Sequence, residues 1–108
     1  QAVPISLVTM DVSFISATIV LPAVIHTLQQ LFPSVPFELI CLVKPQFEVG
    51  RKLVGKGGIV RDAGAQQMAV EKVKQAVESL GGGDIDVIDS PILGAEGNRE
   101  FLLRARFA

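Results

Sequence analysis

Short apolar runs and helical periodicities alternate along this chain. Ile5 to Met10 contains Ile, Leu, Val and Thr and stops at a charge, Asp11, which predicts a strand buried on both faces. From Ile15 onward, Ile15, Ile19, Val20, Val24, Leu28 and Leu31 recur at three to five residues, a helical stripe that stops before Phe32-Pro33. Pro22 should kink that helix or mark its first turn. Phe37 to Val43 reads as a second apolar strand and again runs into a charge, Lys44, followed by Pro45. Residues 45 to 62 carry four glycines and no period, so one long loop is expected, of a length that usually serves function. Gln66 to Leu80 sets Ala69, Val73, Ala76, Val77 and Leu80 on one stripe, with Glu71, Lys72, Lys74 and Glu78 opposite and Gly81-Gly82-Gly83 as the stop. Two further strands are expected at Asp84 to Ile88 and Glu100 to Phe107; in the second, Phe101, Leu103, Ala105 and Phe107 alternate with Leu102, Arg104 and Arg106.

The order βαβαββ predicts an α/β fold with a mostly parallel sheet, right-handed crossovers and an antiparallel last strand. Ligands of such open sheets sit beyond the carboxyl ends of the strands. Asp11 and Lys44 both fall there. An antiparallel last strand begins on the same rim, which brings Glu100 to the same edge. Asp11, Lys44 and Glu100 are therefore the candidate site.

Composition bounds the class. With 108 residues, 49% of them hydrophobic and 19% charged, the chain fits one ordinary domain and lies far from the disordered range. Ten basic against eleven acidic residues exclude a globally basic, nucleic-acid-coating surface but leave room for a local patch. Arg51, Lys52, Lys56 and Arg61 form such a patch in the loop and could touch phosphates. The stretch Gly50 to Gly57 nearly fits a phosphate-binding G-x-x-x-x-G-K-[ST] loop, but Gly57 replaces the hydroxyl residue that holds magnesium. The lone Cys41 reads as a small buried hydrophobe and allows no intramolecular disulfide. His26 has no cysteine or second histidine cluster to complete a zinc site, so no metal is expected. Phe14 to Phe32 holds too many polar groups for a membrane span, and no export leader is present, so no membrane partner and a cytoplasmic location are expected. The start at Gln1, directly followed by an apolar run, reads as a piece of something longer.

Five blocks carry a family resemblance: Asp11-Val12-Ser13-Phe14-Ile15-Ser16, Leu21-Pro22-Ala23, Leu42-Val43-Lys44-Pro45-Gln46-Phe47-Glu48, Gly57-Gly58-Ile59-Val60-Arg61-Asp62, and Ser90-Pro91-Ile92-Leu93-Gly94 with Gly97-Asn98-Arg99-Glu100-Phe101. In this order they resemble the TlyA/hemolysin A family over nearly the whole chain. The resemblance implies an S-adenosylmethionine-dependent RNA 2′-O-ribose methyltransferase with an FtsJ-like catalytic domain, acting on ribosomal RNA cytidines and preceded by a small RNA-binding domain. The family pattern Lys-Asp-Lys-Glu then matches Asp11, Lys44 and Glu100 as its last three members. It also implies that Asp11, Val12, Ser13 and Phe14 line the cofactor; the charge cluster Arg51, Lys52, Lys56 and Arg61 is, on its own account, the expected RNA contact. By the same resemblance, residues 1–108 are the C-terminal part of a Rossmann-like methyltransferase domain, without its glycine-rich cofactor turn, its first lysine and the RNA-binding domain. The chain alone is then expected to be inactive, to bind cofactor poorly and to self-associate through an exposed sheet edge.

Two other classes are open to this sequence. One is a non-catalytic RNA-binding module that uses the 45 to 62 loop. The other is the membrane-lytic protein that the family label suggests; it ranks last, because Ile15 to Leu31 contains no Lys or Arg for an interfacial helix. If the chemistry is methyl transfer, Lys44 either takes the hydroxyl proton or stabilises the alkoxide, and the sequence leaves both open.

Overall fold

A computed structural model describes residues 5–108. In chain order it contains β1 (Leu7–Met10), α1 (Ala17–Leu31), β2 (Phe37–Val43), a short α2 (Pro45–Glu48), α3 (Ala63–Ser79), β3 (Gly83–Asp89) and β4 (Phe101–Phe107), with 3₁₀ turns at Arg51–Leu53 and Ala95–Gly97. The strands form one mixed sheet in the order β1-β2-β4-β3. β1 is parallel to β2, whereas β4 is antiparallel to both of its neighbours, β2 and β3. The last strand is antiparallel, as its sequence position predicted. It inserts inside the sheet, however, so only one of the three ladders is parallel and the expectation of a mostly parallel sheet is corrected.

The two central strands build the core. Phe37, Leu39, Cys41 and Val43 of β2 face Phe107, Ala105, Leu103 and Phe101 of β4 in register, and all eight are buried. Phe37 and Phe107 stack at 4.9 Å between ring centroids. Leu21 and Ile25 of α1 and Val73 and Val77 of α3 close the same cluster. Each fully buried side chain of this size contributes about 1.5–3 kcal/mol relative to exposure. Cys41 is fully buried within it, and desolvation, followed by the charges of Glu48 and Asp11, pushes its thiol up to about 12.

Three sequence expectations change. The first strand is shorter than Ile5 to Met10, and it lies on the sheet edge with Leu7 exposed rather than buried on both faces. In α1 the buried positions are Ala17, Leu21, Ile25 and Leu28, while Ile19 and Leu31 of the expected stripe are 66% and 64% exposed. The physical reason is that α1 is apolar around most of its circumference, so its pattern cannot say which side meets the sheet. Ile15 precedes the helix because Ser16 caps it, its hydroxyl accepting from Thr18 N at 3.1 Å, and Pro22 sits inside one uninterrupted helix. Third, residues 45 to 62 are not one loop: α2 follows β2 at once, and Gly55 bridges Ile59 around a turn. α3 matches its stripe but begins earlier, at Ala63, where Asp62 caps it by accepting from Ala65 N at 2.9 Å.

Candidate functional site

The residues just past the strand ends place three side chains on one rim. Met10 pairs with Cys41, so three residues further Ser13 stands beside Lys44, and Lys44 Nζ donates to Ser13 Oγ at 2.9 Å. Val43 pairs with Phe101 from the other side, which sets Glu100 opposite Lys44. Lys44 Nζ makes an ion pair with Asp11 Oδ1 at 2.5 Å; the lysine side chain is largely covered and the aspartate largely open to water. The predicted trio thus gathers, but its pairing is uneven. Lys44 is held by Asp11 and Ser13, while the buried Glu100 carboxylate accepts from Gln46 Nε2 at 3.1 Å. Gly94 closes over Glu100, where a Cβ would overlap the carboxylate.

Gln46, Glu48 and Asn98 fall within the blocks that carry the family resemblance, but the sequence assigned them no role. Glu48 is buried: one carboxylate oxygen accepts from Ala17 N at 2.8 Å, and the other accepts from Ser16 Oγ at 2.5 Å and meets Lys72 Nζ at 3.4 Å. It therefore fastens the start of α1 to α2 and α3, and it stands at an electropositive helix N-terminus. Lys72 also donates to the Glu48 carbonyl at 2.9 Å. Asn98 is buried, accepts from Val60 N at 3.0 Å and donates to Gly58 O at 2.8 Å, which ties the loop before α3 to the segment that delivers Glu100. Gln66 reinforces that tie by donating to Val60 O at 3.0 Å.

Beside the rim lies a cavity of about 280 Å³ lined by Phe14, Gln46, Phe47, Gly57, Gly58 and Asn98, among others. Gly57 and Gly58 both have positive φ, 79° and 77°, so the turn that forms this wall suits glycine. Phe14 also has a positive φ, 65°, which is unusual for a bulky residue and costs of the order of 1–3 kcal/mol. Its ring is 90% exposed and touches only one side of the site, packing on Phe47 at 5.0 Å.

The remaining candidates are placed as follows. Val12 packs partly against the core beneath Asp11 and Ser13. Arg51, Lys52, Lys56 and Arg61 are all exposed, and Arg61 folds back to donate to the Lys56 carbonyl at 3.0 Å. His26 is exposed on α1. Among the described residues no group of three His, Cys, Asp or Glu side chains gathers to hold a metal ion, and no helix is long and apolar enough to cross a membrane.

Residues 2–107 match the FtsJ-like methyltransferase family. The chain is 40% identical over 102 residues to the 16S/23S rRNA (cytidine-2′-O)-methyltransferase TlyA of Mycobacterium tuberculosis, covering 94% of this chain and 36% of that protein. It is 37% identical over 98 residues to hemolysin A of Brachyspira hyodysenteriae, covering 90% of this chain and 38% of that one. A Lactococcus lactis protein of known crystal structure, carrying a hemolysin label, superposes with a TM-score of 0.83 at 38% identity, over 95% of this chain and 47% of that one. The chain therefore spans about a third of the length of the curated relatives it matches.

Proposed function

Because the chain belongs to the FtsJ-like methyltransferase family, we propose that it forms the catalytic rim of an S-adenosylmethionine-dependent 2′-O-ribose methyltransferase acting on cytidine of ribosomal RNA. On this reading, residues 1–108 are the C-terminal part of a Rossmann-like methyltransferase domain. The observation that carries it is the Lys44–Asp11 ion pair at the carboxyl end of the sheet, with Glu100 set opposite Lys44 by the β2–β4 register. The cytidine base and the 2′-O position of this reading are supported by the similarity to the Mycobacterium tuberculosis rRNA (cytidine-2′-O)-methyltransferase.

Bound S-adenosylmethionine supplies an electrophilic methyl group. The carboxyl end of β1 suits part of such a molecule, because Asp11 offers an exposed carboxylate, Ser13 a hydroxyl, and Val12 the backbone between them. In this reading Asp11, Val12, Ser13 and Phe14 form one wall of the cofactor site, and the Phe14 ring, turned toward Phe47, divides it from the adjacent cavity.

The rest is the work of the rim. Two of the three donors of a Lys44 ammonium are committed to Asp11 and Ser13, which leaves one for the oxygen of a ribose hydroxyl. An oxygen taking the methyl carbon would displace a neutral thioether, the C–S bond pair leaving on sulfur; Lys44 would stabilise the negative charge developing on that oxygen, and the solvent-open Asp11 carboxylate would receive its proton. Glu100, fixed by Gln46 and Gly94, holds the third side of the rim. Arg51, Lys52, Lys56 and Arg61 supply the phosphate contacts that draw RNA to this edge.

Lys44→Ala in the full-length protein tests the assignment. Methylation of ribosomal RNA is expected to fall by at least a thousandfold, with fold and cofactor affinity retained. Activity within about tenfold of wild type, roughly 1.4 kcal/mol of barrier, removes Lys44 from the chemistry. RNA binding by a wild-type protein that transfers no methyl group would favour the non-catalytic binding module instead.

A further inference from the structure

Gln46 holds the one buried side-chain polar atom that lacks a hydrogen-bond partner among the described residues, its Oε1. That oxygen is shut away from the cavity that Gln46 borders, so a ligand there does not satisfy it. The other end of the amide explains the arrangement. Nε2 donates to Glu100 Oε2 at 3.1 Å, and turning the amide over would set acceptor against acceptor. The unmet oxygen is the consequence of keeping the amide donor on Glu100, since an apolar side chain of the same length would fill the space and leave no acceptor unpaired. Gln46 is also joined closely to Lys44. Lys44 caps α2 and Pro45 opens it, Phe47 N donates to Lys44 O at 2.9 Å and Val49 N to Pro45 O at 3.1 Å, so one turn of backbone carries both side chains.

Resting on the methyltransferase reading, we infer that Gln46 is a positioning residue for the reaction: from the turn that carries Lys44, its amide donor aims the Glu100 carboxylate and sets the place of that carboxylate relative to Lys44. Lys44 and Glu100 stand on neighbouring antiparallel strands, and no ion pair joins them directly among the described residues. Gln46 is the hydrogen-bonded link from one to the other. Glu100 has no room to move away from it on the far side, where a Cβ at Gly94 would already overlap Oε2. Losing the donor frees the carboxylate to turn within the rim, and a displacement of about 1 Å at a reacting centre lowers the rate about a hundredfold.

The experiment measures methylation of ribosomal RNA by the full-length protein as wild type, Gln46→Met and Gln46→Glu, between about pH 6 and about pH 9. Gln46→Met keeps the shape and removes the donor, so kcat is expected to fall about a hundredfold at every pH, with cofactor affinity within about threefold of wild type. In Gln46→Glu two carboxyl groups face each other and share one proton at the acid end of the range. That proton stands in for the amide donor. The kcat of Gln46→Glu relative to wild type should therefore recover to within about tenfold near pH 6 and fall about a hundredfold near pH 9, where both groups are ionised and repel. The other charged groups of the rim and its walls, Asp11, Lys44, Glu48, Lys72, Glu96 and Arg99, are the same in wild type, so the ratio at each pH isolates the pair. Circular dichroism over the same range separates loss of fold from loss of geometry. Gln46→Met with kcat within about threefold of wild type overturns the inference, and so does Gln46→Glu that shows no recovery at low pH. Should Gln46→Met fail to fold, the pH dependence of Gln46→Glu decides alone. Wild type that transfers no methyl group overturns the methyltransferase reading itself, and this assignment with it.

Discussion

Glu48 shows how much a single side chain decides here. Its carboxylate is buried and satisfies Ala17 N and Ser16 Oγ at the N-terminus of α1, so one group caps a helix from another element. Glu48→Ala leaves that backbone N–H unpaired inside the protein and should lower the unfolding free energy by about 3 kcal/mol. Lys72→Ala, which removes the half-exposed partner 3.4 Å away, should cost under about 1 kcal/mol. Urea unfolding of both variants checks this, and equal losses would mean that the ion pair, not the cap, carries the energy. Asp11 and Lys44 were legible because each is the first charge after an apolar strand, and Glu100 because it precedes a clean alternation. Gln46, Glu48 and Asn98 were not. Their roles lie in hydrogen bonds to residues tens of positions away, and a polar residue buried by tertiary contacts leaves no period in the sequence.

Among the elements, β2, β4 and α3 were readable from their patterns because each has one apolar face and one polar face. α1 was readable as a helix but not in its orientation: with no charge anywhere between Asp11 and Glu38, its sequence does not distinguish the side on the sheet from the side in water. The segment 45 to 62 misled for the opposite reason, since α2 is a single turn and too short to show a helical period. What the sequence did mark there is charge: four of the ten basic residues fall between Arg51 and Arg61, and all four are exposed. If they meet RNA phosphates, replacing all four with glutamine should weaken binding and reduce the slope of log affinity against log salt by about 3. Binding measured across a salt series for variant and parent decides it. Parallel lines would assign the four charges to solvent.

At the scale of the whole molecule, the two edges of the sheet differ in a way that predicts how copies of this chain meet. β3 forms one edge and carries Asp84, Asp86 and Asp89, all exposed, so two such edges brought together repel. β1 forms the other edge with the residues Leu-Val-Thr-Met, and it has neither a charge nor a proline to blunt it. Beside β1, an apolar groove of about 540 Å³ runs between Leu7, Val8, Val24, Leu28 and Leu31. An unprotected edge with an apolar flank can extend its ladder with another strand and cover its side chains in the same step. The 108-residue chain is therefore expected to self-associate through β1, with the measured mass rising above that of one chain as concentration increases toward about 100 µM, well within the range where exposed edges associate. Leu7→Lys places a charge on that edge at a position already 54% exposed, so the fold should survive while the larger species disappear. Light scattering on both proteins tests the expectation. A wild-type chain that stays monomeric across the series, or a Leu7→Lys variant that associates as before, would show that β1 is not the contact.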